Sequence, residues 1–202
     1  MQDRKRDYYY KKAKVEMYRS RAAYKLLQAI KKYRFINPGD VVIDLGAAPG
    51  GWIQAARKTV GNKGFVLGVD LKPIEPFTQP YVRTMICDII EDDALQQIRE
   101  LLPQEADAVI SDASPNISGI WEVDHARQID LAQKALYIAS ETLGQGGHFF
   151  VKVFQGDMLD DFVEKVKHNF RLVRVVKPDA SRAKSSEIYV LATDFKPSEA
   201  GQ

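Results

Sequence analysis

Apolar residues follow two periods along this chain. Short unbroken apolar runs alternate with stretches in which they fall every third or fourth position. That is the pattern of strands buried on both faces alternating with amphipathic helices. The runs cover residues 41–45, 65–70, 82–87, 108–112, 148–154, 170–176 and 187–193. The helical stretches cover 20–33, 53–60, 94–102, 126–143 and 159–169. Asn37-Pro38-Gly39-Asp40 and the glycines of 61–64 and 144–147 read as turns, and Pro103 closes a helix. The first few residues are expected to be mobile. Strand and helix in alternation predict an α/β, doubly wound, Rossmann-like sheet covered on both faces. The connection 177–186 is too short for a crossover, so the last two strands should pair antiparallel. The expectation is a seven-stranded, mostly parallel sheet with one antiparallel strand, in a single domain over 1–202.

The first run ends in Asp44-Leu45-Gly46-Ala47-Ala48-Pro49-Gly50-Gly51-Trp52. Strand, glycine turn and helix in that order suit a nucleotide-like cofactor at the carboxyl end of a parallel strand. Glycines let the backbone turn sharply and a ligand approach closely, and the helix start directs N–H groups at it. The spacing departs from G-x-G-x-x-G, because Ala48 stands where the middle glycine would fall. That disfavours a dinucleotide pyrophosphate. Asp44, Asp70, Asp88 and Asp112 fall at or just after the ends of the first four strands. Asp70 is placed for ribose hydroxyls, Asp88 for an adenine amino group and Asp112 for the cofactor's charged end. Such carboxylates would repel a pyrophosphate and favour a cofactor carrying an ammonium and a sulfonium. S-adenosylmethionine is therefore preferred over NAD.

Composition narrows the class. Among the 202 residues, 45% are hydrophobic, with no apolar run long enough to cross a bilayer and no signal-peptide pattern. Cys87 is the single cysteine, which excludes an internal disulfide and a multi-cysteine zinc site. His125, His148 and His168 lack ligand spacing. A cytoplasmic monomer, without metal or membrane, is the expectation. The net charge of +2 conceals an asymmetry. Residues 1–34 hold twelve Lys and Arg against three acidic residues, a net of +9, and the remainder 17 against 24, a net of −7. Tyr8, Tyr9, Tyr10, Tyr18 and Tyr24 are interleaved with the basic residues. Lysines and arginines for phosphates, with rings for bases, point to nucleic acid at this segment.

Lys152 stands inside the apolar run Phe149-Phe150-Val151-Lys152-Val153-Phe154, where packing alone rarely places a lysine. In apolar surroundings beside a second cation, a lysine can act as a base near neutrality. Lys25, next to Leu26 on the first helical stretch, is the candidate for that cation, and Glu187 opens the last strand.

With these residues in view, the chain resembles the heat-shock-associated RNA ribose 2′-O-methyltransferases of the FtsJ or RrmJ type. The resemblance is carried by residues 44–52, by Ser111-Asp112-Ala113-Ser114-Pro115-Asn116, by Lys152 in its strand, by Ser185-Ser186-Glu187-Ile188-Tyr189 and by Ser20-Arg21-Ala22-Ala23-Tyr24-Lys25-Leu26. It spans about residues 8 to 193. It implies a Rossmann-like methyltransferase fold and a Lys-Asp-Lys-Glu tetrad at Lys25, Asp112, Lys152 and Glu187. It implies cofactor contacts at Gly50, Trp52, Asp70, Asp88 and Asp112, beside the Asp44 and Gly46 of the turn. The implied substrate is a uridine of large-subunit (23S-type) ribosomal RNA, as free RNA or in the large ribosomal subunit, with tRNA as the alternative. Further RNA affinity is expected from the N-terminal segment and from Lys177, Arg182 and Lys184. A non-catalytic RNA-binding assembly protein on the same fold is the reading from another class.

Overall fold

The computed structural model describes residues 2–181 and 185–197. Strand β1 (Val41–Leu45) is buried at every position. It lies parallel to β2 (Phe65–Asp70) on one side and to β4 (Ala106–Ser111) on the other. With β3 (Val82–Ile86), β5 (Leu143–Phe154), β6 (Phe170–Val176) and β7 (Glu187–Phe195), the sheet runs β3-β2-β1-β4-β5-β7-β6. β7 is antiparallel to both its neighbours, β5 and β6. The chain thus builds outward from β1, then returns to its other side with β4. That reversal opens a crevice at the carboxyl edge.

Alternate residues feed two core layers. Val41, Ile43 and Leu45 pack with Ile98 of α4 (Ala94–Leu101), Ile129 of α5 (Trp121–Thr142) and Phe162 of α6 (Leu159–Asn169). Val42 packs on the other face with Leu26 of α2 (Ala23–Tyr33) and Ile53 of α3 (Gly51–Val60). Asp44, two residues on from Val42, shares that second face.

Four local expectations are corrected. The segment before α2, where the periodicity predicts no element, forms helix α1 (Gln2–Val15). Its sequence shows no apolar stripe because it docks through tyrosines. Tyr9 lies 5.3 Å from the Tyr24 ring, and Gln28 donates to the Tyr9 hydroxyl at 2.8 Å. Tyr18 packs on Tyr24 at 5.5 Å. Tyr8 and Tyr10 are left exposed. Helix α2 begins at Ala23, since the Arg19 N–H is drawn to the Gln54 carboxamide oxygen at 2.6 Å. Helix α5 begins at Trp121, five residues early. Helix α5 ends at Thr142, just before the glycines of 144–147, but these run inside β5 instead of forming a separate turn, and the pairing shifts register between Ala106 and Ala108. Arg182 and Lys184 lie outside the described residues. No described helix is long and apolar enough to cross a membrane.

Phe150 is the keystone of the α2/α3 layer. It stacks on Tyr189 at 4.8 Å and Trp52 at 5.6 Å, with Phe35 at 5.2 Å. Phe150→Ala should lower stability by about 3–5 kcal/mol, measured by denaturant unfolding. A loss under about 1 kcal/mol would contradict this packing.

Candidate active site

A cavity of about 1120 Å³ opens at the carboxyl edge, walled by Gly46, Asp70, Asp88 and Asp112, with Arg127 and Lys134 of α5 opposite. Gly46 sits at φ +75°, and a Cβ there would lie 2.6 Å from the Ala113 Cα. Only glycine lets the first turn meet the segment after β4 so closely. Gly50, at φ +106°, precedes α3, and no side chain caps that helix start. Asp70 accepts the Ala48 and Lys72 N–H groups, each at 2.8 Å, and Asp88 accepts the Ile90 N–H at 3.0 Å. These bonds fix both carboxylates while leaving acceptor capacity toward the cavity.

Asp44 is fully buried and off the cavity wall, and neither of its carboxylate oxygens has a hydrogen-bond partner among the described residues. Burial above all, then the nearby charges of Asp112 and Asp70, push its carboxyl well above the usual range. Gly50 and Trp52 are also off the wall. Gly50 faces Arg19 and Phe77. Trp52 is buried, donates its indole N–H to the Ala22 carbonyl at 2.9 Å and stacks on Phe150. Its place is the joint between α3, the sheet and the segment before α2.

Lys25, Asp112, Lys152 and Glu187 come together as two linked pairs, of which Asp112 alone is part of the cavity wall. The Lys152 ammonium donates to the Asp112 backbone carbonyl at 2.8 Å and lies 3.5 Å from Asp112 Oδ1. The Lys25 ammonium donates to Glu187 Oε2 at 3.0 Å. Tyr189 joins them: its hydroxyl donates to Asp112 Oδ1 at 2.8 Å, and its ring centroid is 5.6 Å from Lys25 Nζ. Burial, then the Asp112 and Glu187 charges, hold the Tyr189 phenol well above its ordinary range, so it remains a donor. Lys152 and Lys25 are only 4% and 6% exposed. Such buried cations are tolerable because each has an anion and a hydrogen bond.

Sequence reasoning passed over three contributors. Tyr189 sits in an apolar strand and reads as core. Gln128 of α5 donates to the Lys152 and Ala113 carbonyls at 3.0 and 3.2 Å, tying together the ends of β4 and β5. Arg19 donates to the Glu75 and Pro76 carbonyls at 2.6 and 3.2 Å and packs 4.0 Å from the Phe77 ring centroid, pinning the loop after β2. The last two have no local signature. Among the described residues no group of three or more His, Cys, Asp or Glu could hold a metal ion.

The doubly wound sheet with a cavity at its carboxyl edge is a methyltransferase architecture. Residues 18–195 match the FtsJ-like methyltransferase family, and the chain belongs to it. The ribosomal RNA large subunit methyltransferase E of Methanocaldococcus jannaschii is 54% identical over 195 residues, covering 95% of this chain and 80% of that protein. A structure described as a ribosomal RNA methyltransferase from Plasmodium falciparum superposes with a TM-score of 0.79 at 28% identity, over 88% of this chain and 98% of that one. A Streptococcus mutans methyltransferase solved in complex with SAH shares the fold, with a TM-score of 0.54 at 14% identity, over 87% and 96% of the two chains.

Asp44 supplies a pH test. Its folded carboxyl is raised above the reference 3.8, so its contribution is most favourable in acid and declines as pH rises beyond about that value. Asp44→Asn removes the ionisation. In ligand-free protein the variant's Tm should exceed wild type at neutral pH, and the gap should close toward pH 4. A gap that widens toward acid would contradict the assignment.

Proposed function

We propose that the protein transfers a methyl group from S-adenosylmethionine to a ribose 2′-hydroxyl of RNA, in a uridine of large-subunit ribosomal RNA, in the cytoplasm. The observation that carries this reading is the Lys152–Asp112 and Lys25–Glu187 array, two buried lysines with no packing reason to be there, joined to the cavity wall through Asp112. The names of its relatives support ribosomal RNA as the substrate class.

The residues present fit that donor. Asp70, Asp88 and Asp112 at the strand ends, and the two unpartnered Asp44 oxygens near them, favour a ligand that presents positive charge and hydrogen-bond donors to that side of the wall. In this reading Asp70 holds ribose hydroxyls, Asp88 an adenine amino group, and the Gly46 turn lets the ligand lie close. Asp44 and Asp112 offset the cationic end. Gly50 and Trp52 contribute by fixing the turn and α3. When bound, the cofactor supplies a methyl carbon made electrophilic by its sulfonium.

As the neutral amine Lys152 takes the proton of the attacking hydroxyl and becomes the ammonium that Asp112 holds; as an ammonium it can only orient that hydroxyl. Asp112 and Tyr189 hold the Lys152 ammonium in place, and Lys25 with Glu187 positions the ribose or its phosphate. Alignment supplies most of the rate, and a general base adds roughly 10²–10⁴-fold.

Two outcomes test this. Lys152→Ala should lose about 10²–10⁴-fold in turnover, followed by labelled methyl transfer to large-subunit RNA or subunits, with tRNA transcripts alongside. Cofactor affinity by calorimetry should stay within about twofold of wild type. Near-normal turnover would refute the role of Lys152, and methylation of tRNA alone would refute the ribosomal substrate. Lys11→Glu with Lys12→Glu on α1 should weaken RNA binding and flatten its salt dependence, by about 0.7 in logarithmic slope for each phosphate no longer neutralised. Unchanged affinity would remove α1 from the docking face.

A further inference from the structure

Beside the tetrad the chain displays an apolar edge that neither the core nor the lysines use. Ile117, Ile120 and Trp121 are all exposed, three large apolar side chains within five residues of the β4–α5 connection. An exposed apolar patch, unlike an isolated exposed residue, calls for a partner.

This edge is held rigid. In the first turn of α5, Asp124 accepts the Ser118 N–H at 2.7 Å, the Ser118 hydroxyl at 2.8 Å and the Gly119 N–H at 3.0 Å. The Ser118 hydroxyl oxygen in turn accepts the Ile120 N–H at 3.2 Å. The loop's polar atoms are thus turned onto the helix start while its isoleucines face solvent. The Trp121 indole is backed by His125 at 5.7 Å and Phe154 at 6.0 Å, both close to parallel. The His125 ring is itself wedged against Gly156, where a Cβ would lie 2.7 Å away, and its Nε2 accepts the Met158 N–H at 3.2 Å. With its backing fixed, the indole remains 44% exposed.

The position relates it to the reaction. Phe154, on which the indole stacks, pairs in register with Glu187, and Lys152, two residues earlier, pairs with Tyr189. A flat, preorganised aromatic surface therefore stands next to the residues proposed to hold a ribose. We propose that Trp121, flanked by Ile117 and Ile120, is the stacking platform for an unpaired base of the RNA at the methylated nucleotide or its neighbour. This rests on the RNA methyl-transfer reading above. Three side chains are too few for a stable protein interface, whereas one ring suits one base. A stacked base is worth roughly five- to a hundredfold in affinity. Trp121 is a positioning residue, acting on the base while the chemistry is at the ribose.

The chain's two tryptophans make the test direct. Trp52 is buried at 3% exposure, so fluorescence quenching by RNA reports on Trp121. The full chain is titrated with a single-stranded ribosomal RNA fragment that contains the methylated site. Wild type should be quenched. Trp121→Ala should raise Kd and KM for RNA at least fivefold, with Tm, cofactor affinity and kcat at saturating RNA little changed. Trp121→Phe, which keeps a ring, should restore KM to within about threefold. Wild-type turnover with an unaffected Trp121→Ala variant overturns the platform alone, as does equal impairment of the Ala and Phe variants. Quenching and the Kd effect without turnover in wild type overturn the methyl-transfer reading and leave the platform standing.

Discussion

Asp112 joins the two halves of the site into one electrostatic unit. Its backbone carbonyl receives the Lys152 ammonium, its carboxylate receives the Tyr189 hydroxyl, and the same side chain walls the cavity. Its charge also helps raise the carboxyl of the buried Asp44 above its ordinary range. Leaving a buried ammonium without its partner costs about 3–5 kcal/mol. The end of β4 therefore cannot drift from the end of β5 without exposing or stranding Lys152. Gln128 fastens the same two strand ends from α5. The cavity and the lysine array keep their spacing because they share this residue.

Where sequence was informative, the cause was the scarcity of polar residues in buried strands. A lysine among phenylalanines and valines, or an aspartate closing an apolar run, has few packing explanations, and the carboxyl ends of parallel strands share an edge. Asp70, Asp88, Asp112 and Lys152 were legible for that reason, as was the sheet with its antiparallel β7. Other features depend on contacts between distant segments. Arg19 meets carbonyls 56 and 57 positions away. Trp52 beside the glycine turn is engaged by the carbonyl of Ala22 instead of lining the cavity. Tyr189 carries its function in one hydroxyl on an otherwise apolar ring. The early start of α5 follows from Asp124 gathering the loop before it, which no propensity encodes.

The basic N-terminal segment divides its tyrosines between two tasks. Tyr9, Tyr18 and Tyr24 form one ring cluster that seats α1 on α2, so their faces are taken up by packing. Lys12 lies over the Tyr24 ring at 4.9 Å and Lys14 over Tyr10 at 4.7 Å. Interleaved aromatics and cations thus serve first as glue for a helix with hardly any apolar stripe. Among the described side chains of this segment, Lys11, Lys14 and Glu16 reach solvent together with Tyr8, Tyr10, Val15 and Met17.

Arg19 gives the molecule a mechanical linkage. Its guanidinium grips the loop that leaves β2 past the cavity wall, while its backbone is tied to α3 through Gln54. The segment between α1 and α2 is thereby a crossbar between the basic helices and the rim of the cavity. One residue thus fixes the spacing between the basic helices and the rim, so the two cannot be repositioned independently without breaking its contacts.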